Sequence, residues 1–173
     1  MNKPLIITLL ILIFTSCGSD RNKHKPSLAE TKNNLIKANQ FLVEKDQELI
    51  REYIKQNNID SIKENGAGLY YKIWGVPSGS EIKKNNIVEY RFKLYLLDGT
   101  LCYQTEGNET KKFRVGSGRV ESGLEQAVLL MKPGQSGIFI LPPHLAHGLM
   151  GDNDKIPPRT IIVYNIEMLG VQR

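Results

Sequence analysis

At 173 residues with 40% apolar side chains, the chain has the length for one domain with a buried core. Its formal net charge of +5 is spread along the sequence, and no stretch sets Lys and Arg among aromatics, so nucleic-acid binding gains no support. The two cysteines, Cys17 and Cys102, lack a CxxC spacing, which leaves a thioredoxin-like role without support.

Residues 1–16 read as a secretory signal. Lys3 supplies a positive start, and Pro4 to Phe14 is an uncharged apolar run too short to cross a hydrocarbon core as a helix. Small Thr15 and Ser16 precede Cys17. Phe14-Thr15-Ser16-Cys17 resembles the bacterial lipobox, which implies a lipid on Cys17 and anchoring in the cell envelope, expected at the outer membrane and facing the periplasm or the exterior. The alternative is an ordinary cleaved signal, with Cys17 free to pair with Cys102. If Cys17 is acylated, Cys102 has no partner, and burial in its apolar stretch Leu101-Cys102-Tyr103 is expected.

Residues 17–26 are polar and read as a tether. Ser27-Leu28-Ala29-Glu30 then fits a capping box. Leu28, Leu35, Leu42 and Leu49 recur every seven residues, with Ile36, Val43 and Ile50 one position later. This predicts an amphipathic helix over 28–55 inside an N-terminal segment 27–66. Packing against its own domain and homodimerisation fit the stripe equally.

From Ala67 the period becomes two. Strands are predicted over 69–76, 87–97, 101–104, 113–115, 137–141 and 160–169, with Asp98-Gly99 as a hairpin turn. Ser122 to Met131 carries the one helical pattern of this half. Residues 67–173 therefore read as a single α+β domain.

Several stretches here, in order and with compatible spacing, resemble the FK506-binding family of peptidyl-prolyl isomerases. They are Val88-Glu89-Tyr90, Asp98-Gly99-Thr100, Val120 to Val128 with Met131 to Gln135, Pro143 to Gly148 with Ile156-Pro157-Pro158, and Ile162 to Leu169. The resemblance implies an antiparallel sheet of five or six strands wrapped around one short helix. It implies cis–trans isomerisation of X–Pro bonds, with proline-containing peptides or proteins as substrates. The lipobox, the tether and the loop His147 to Asn153 further resemble the gliding-motility-associated FK506-binding lipoproteins of the Bacteroidetes.

Rotation about an X–Pro bond meets the amide resonance barrier of about 18–20 kcal/mol. The reaction needs no nucleophile, only a site that favours the twisted imide over the planar one. The resemblance implies such a pocket from Tyr90 and Phe113 as aromatic walls, Val120 as an edge and the Glu121 backbone N–H as a donor. It further implies Leu124 as the floor, His147 as the polar group above, and Ile156 and Tyr164 as closing residues. The chain departs from the family at Leu124 (usually Trp), at His147 (usually Tyr), at Glu121 (usually apolar) and at Cys102-Tyr103 (usually Phe-Asp). These departures imply weakened or specialised catalysis, or a binding module in a cell-envelope complex that has lost its chemistry.

No metal or cofactor is expected. His144 and His147, near Asp152 and Asp154, lie on a Pro-flanked loop rather than at helical metal-ligand spacing. Gly116-Ser117-Gly118 is explained by a tight turn.

Overall fold

The computed structural model describes residues 27–172. The expected signal, tether and lipidation site at Cys17 lie outside them. No helix among the described residues is long and apolar enough to cross a membrane.

Helix α1 spans Leu28–Gln56. The Ser27 N–H donates to Glu30 Oε2 (2.7 Å) and the Glu30 N–H to Ser27 Oγ (3.2 Å), which is the reciprocal pairing of a capping box. The chain divides into two compact units at Ala38 and Asn39, so the second half of α1 belongs to the unit that holds the sheet.

Seven strands follow: β1 Lys63–Glu64, β2 Tyr70–Trp74, β3 Ile87–Leu96, β4 Leu101–Gln104, β5 Lys111–Arg114, β6 Ser136–Leu141 and β7 Ile162–Gln172. They form one antiparallel sheet in the order β1-β2-β6-β7-β3-β4, with β5 also on β3. The fold is the α+β arrangement expected, with seven strands where the resemblance implies five or six. Two-residue β1 is exposed at both positions, so no alternation announces it. The β3–β4 hairpin turns where Asp98-Gly99 predicts it. Gly99 has φ 87°, and the Thr100 N–H donates to Asp98 Oδ1 at 2.9 Å.

Period-two alternation sorts side chains to two faces. Tyr71, Phe139, Tyr164, Leu94 and Tyr103 succeed one another across the inner face. Helix α2, Ser122–Leu129, buries Leu124, Ala127 and Val128 in the same core as these inner-face residues. A side chain on Gly123 would come within 2.5 Å of Leu141 and 2.7 Å of the Leu145 carbonyl. Glycine is what lets α2 approach that closely.

On the outer face, Tyr70, Ile140 and Val163 form a second core with Ile50, and Tyr53 and Ile54 of α1 pack beside it. Arg159 Nη2 lies 2.8 Å from Asp46 Oδ2 and donates to the Leu42 carbonyl at 3.0 Å. The packed stripe of α1 is thus Leu42, Asp46, Ile50, Tyr53 and Ile54, and it follows the helical period rather than the seven-residue leucine repeat. Leu35 and Phe41 stay exposed at 66% and 65%. Packing on its own domain accounts for the second half of the helix. Cys102 is buried, as its apolar neighbours predict, and burial pushes its thiol up.

Candidate functional site

Between the inner face of β3, the start of α2 and the loop after β6 lies a cavity of about 630 Å³. Tyr90, Phe92 and Leu94 line it from alternate positions of β3, with Tyr164 from β7 and Leu124 from α2. Val120 and Glu121 contribute from the α2 entry, Ala146 and His147 from the loop after β6. Of the eight pocket residues predicted, the structure brings six to this cavity: Tyr90, Val120, Glu121, Leu124, His147 and Tyr164.

Phe113 and Ile156 stand one layer behind and do not line it. Phe113 sets its ring edge against Tyr90, with centroids 5.7 Å apart and planes at 88°, and Ile156 is 2% exposed in the core. They are supports of the wall rather than its surface. Tyr90 packs on Phe92 and Phe92 on Tyr164, at 5.8 and 5.6 Å between centroids, so the aromatics brace one another.

The entry to α2 is held from below. Glu125 accepts from the Gly116 and Gly118 N–H groups at 2.7 and 2.9 Å, which fixes the turn leading to Val120. Glu121 sits at the N-cap with extended backbone and no side-chain cap bond. Its N–H has no acceptor among the described residues. A donor left open beside an apolar cavity is where a substrate carbonyl can dock.

The Glu121 side chain turns to the cavity instead of capping the helix. Its Oε1 accepts from the Tyr164 hydroxyl at 3.2 Å. His147 Nε2 lies 2.8 Å from the same oxygen, but the ring nitrogen makes no aligned hydrogen bond, so this is a close approach and not a made bond. Burial, and then the Glu121 charge, push the Tyr90 and Tyr164 hydroxyls well up. Both stay protonated at neutral pH and remain donors.

A second polar group joins Tyr103, which the resemblance places at a pocket position, to a partner that the sequence does not announce. Tyr103, opposite Leu94 on β4, donates its hydroxyl to Asp152 Oδ2, and Asp154 Oδ2 lies 3.1 Å away. Asp152 Oδ1 also accepts from the Asp154 and Ile156 N–H groups at 2.9 and 2.8 Å. Burial by itself would raise the Asp152 carboxyl. The bonds from Tyr103, Ile156 and Asp154 outweigh it and hold the group at about 2. The same bond pushes Tyr103 up to about 12. Tyr103 and Asp152 both line the cavity, as do Phe92, Leu94 and Ala146. Phe92 and Leu94 share the period-two face of β3 with Tyr90, which the family resemblance places, whereas nothing local links Tyr103 to Asp152.

This arrangement offers apolar walls, an open main-chain donor and two carboxylates. No group of three or more His, Cys, Asp and Glu side chains is placed to hold a metal among the described residues.

Comparison with known proteins gives the same direction. The profile of the FKBP-type peptidyl-prolyl cis-trans isomerases matches residues 79–169. FK506-binding protein 2 of Yarrowia lipolytica is 30% identical over 105 residues, covering 60% of this chain and 73% of that protein. Human peptidyl-prolyl cis-trans isomerase FKBP9 is 34% identical over 88 residues, which is 50% of this chain but only 15% of that much longer protein. A crystal structure of a peptidyl-prolyl cis-trans isomerase from Pseudomonas syringae superposes with a TM-score of 0.63 at 27% identity, covering 75% of this chain and 96% of that one.

Proposed function

We propose that this chain, which belongs to the FKBP-type peptidyl-prolyl cis-trans isomerase family, catalyses rotation about X–Pro bonds in exported proteins. The observation that carries the reading is the cavity itself. Leu124 forms a floor for a proline ring between Tyr90, Phe92 and Tyr164, with the Glu121 N–H open at the rim. An apolar pocket strips water from the imide and disfavours the planar, charge-separated amide. A main-chain donor then holds the substrate carbonyl while the C–N bond turns. No proton or nucleophile need move.

The reading extends to place and partners. The charged, apolar and small-residue order before Cys17 supports a lipid anchor in a bacterial envelope, most simply the outer membrane. The loop from His147 to Asn153 supports a role in gliding motility or secretion. Exposed Leu28, Leu35, Ile36 and Phe41 support pairing of two copies through the first half of α1. Cys17→Ser should move the protein from the membrane to the soluble fraction on cell fractionation, and a variant that still pellets overturns the anchor.

A second reading, a binding module without catalysis, is favoured by Tyr103. It stands where the family resemblance implies an aspartate, with its hydroxyl committed to Asp152 and Asp154. Exchange NMR on a short X–Pro peptide decides between the two. Turnover that disappears with Leu124→Ala supports the isomerase, and peptide binding without turnover supports the module.

A further inference from the structure

Two carboxylates share a cavity whose inner wall is otherwise built from aromatic and aliphatic side chains and the His147 ring. The Glu121 side chain is 14% exposed. Its Oε1 faces Tyr164 and His147, while its Oε2 has no partner among the described residues. Asp152 is held ionised by the Tyr103 hydroxyl and two backbone N–H groups, with a smaller contribution from the nearby His147 ring. The cationic side chains that line the cavity, Lys111 and Arg119, are exposed, and Lys155 lies outside it on the Tyr103 ring, 5.1 Å from the ring centre. A charge in contact with water is screened, whereas one set against low-dielectric walls keeps its field. His147 also lines the cavity, but even with its ring protonated the two carboxylates leave the interior net negative, and the permanently charged cations sit at its exposed rim.

Building that field has a cost. Asp152 ties down its own loop through the Asp154 and Ile156 N–H groups, but Glu121 does not serve the fold in the usual way for its place. Glu121 occupies an N-cap yet makes no cap bond, where a short polar side chain would stabilise the helix. Its carboxylate crosses instead to Tyr164 on β7 and to His147 on the loop after β6. A hydroxyl at Tyr103 draws the Asp152 carboxylate to the same cavity across 49 positions of sequence. Both groups thus stand where a bound peptide's side chains must pass.

We propose that Glu121 and Asp152 set the substrate class of this pocket, selecting X–Pro segments that carry a lysine or arginine beside the proline. The proposal rests on the reading of the cavity as a prolyl-peptide site. The proline ring takes the apolar floor, and the neighbouring cation meets the unpartnered Glu121 Oε2 and the fixed Asp152 charge. An acidic residue in that place meets the same field as repulsion.

The test uses three tetrapeptides that are identical except for Lys, Leu or Glu before the proline. For the wild type, Glu121→Gln and Asp152→Asn, kcat/KM is measured by exchange NMR and Kd by chemical-shift titration, at low and at high salt. The expected order is Lys, then Leu, then Glu, with roughly a tenfold step between Lys and Glu, the size of one partly screened charge pair. Glu121→Gln should collapse most of that step, and high salt should compress it. Equal constants for the three peptides, or a step unchanged in both variants, overturn the proposal while leaving the isomerase reading intact. If no peptide is turned over but the Kd values keep the order, the isomerase reading fails and the charge selection stands. If no peptide binds at all, both fall. Asp152→Asn also loosens a loop, so Glu121→Gln, which keeps shape and touches no backbone bond, is the deciding variant.

Discussion

The Tyr90 hydroxyl makes no hydrogen bond to another described residue, although the side chain is only 5% exposed and its ring is braced by Phe92 and Phe113. Tyr90→Phe removes that hydroxyl and nothing from the packing. The expected outcome is a melting temperature within about one degree of wild type and a lower kcat/KM on an X–Pro peptide. Unchanged turnover would show that the hydroxyl does not meet substrate. Leu124→Ala acts differently, since Leu124 belongs both to the core and to the cavity floor. It should cost about 2–5 kcal/mol in chemical denaturation together with most of the activity. Asp152 makes a prediction in pH. Its folded carboxyl lies at about 2, below its ordinary value of 3.8. Its bonds therefore stabilise the fold fully above about pH 4, and that stability is lost as pH falls through 2. The gap in stability between wild type and Asp152→Asn should be widest at neutral pH and close near pH 2. A gap independent of pH would mean that the charge is irrelevant. What the sequence carried at this scale is instructive. Family order places Tyr90, Glu121 and His147, and alternation from Tyr90 reaches Phe92. The Tyr103 to Asp152 bond joins residues 49 positions apart, and no local pattern encodes such a pair.

Among the elements, α1 shows how a repeat can mislead. The seven-residue stripe includes Leu35 and Leu49, both exposed, as well as Leu42 and Ile50, which share the packed side with Asp46. A sequence reports a stripe of apolar residues but not which surface claims it. Asp46 is the element's buried charge, and Arg159 lies across from it at 2.8 Å. Arg159→Ala strips that partner and the bond to the Leu42 carbonyl. The expected loss is about 3 kcal/mol, at the low end for an orphaned buried charge because Arg159 is itself part exposed. Pairing Arg159→Met with Asp46→Leu should restore most of it, since apolar side chains can replace an ion pair at little cost. A double variant as unstable as the single one would contradict this account. The strands were easier to read, because alternation survives burial of one face. β3 and β7 and their turns stand close to where period two predicts them, and β1 has too few residues to show a period.

Across the whole molecule, the sheet is organised around β3, which pairs with β4, β5 and β7. Its longest pairing joins it to the last strand, from Leu96 with Ile162 to Ile87 with Gln172. The amides of β3 and β7 at positions 92–94 and 164–166 should accordingly exchange last with solvent, and those of the first turns of α1 first. Equal protection across both would mean that the helix and the sheet open together. The pairing also has a consequence for how the protein is made. A chain delivered N-terminus first presents the strand IVEYRFKLYL about seventy residues before its partner exists. During that interval its open edge is a template for any other extended chain, and closure of so distant a pair is intrinsically slow. A protein of this design is therefore itself exposed while it is being made, and that edge of β3 is covered only when β7 arrives.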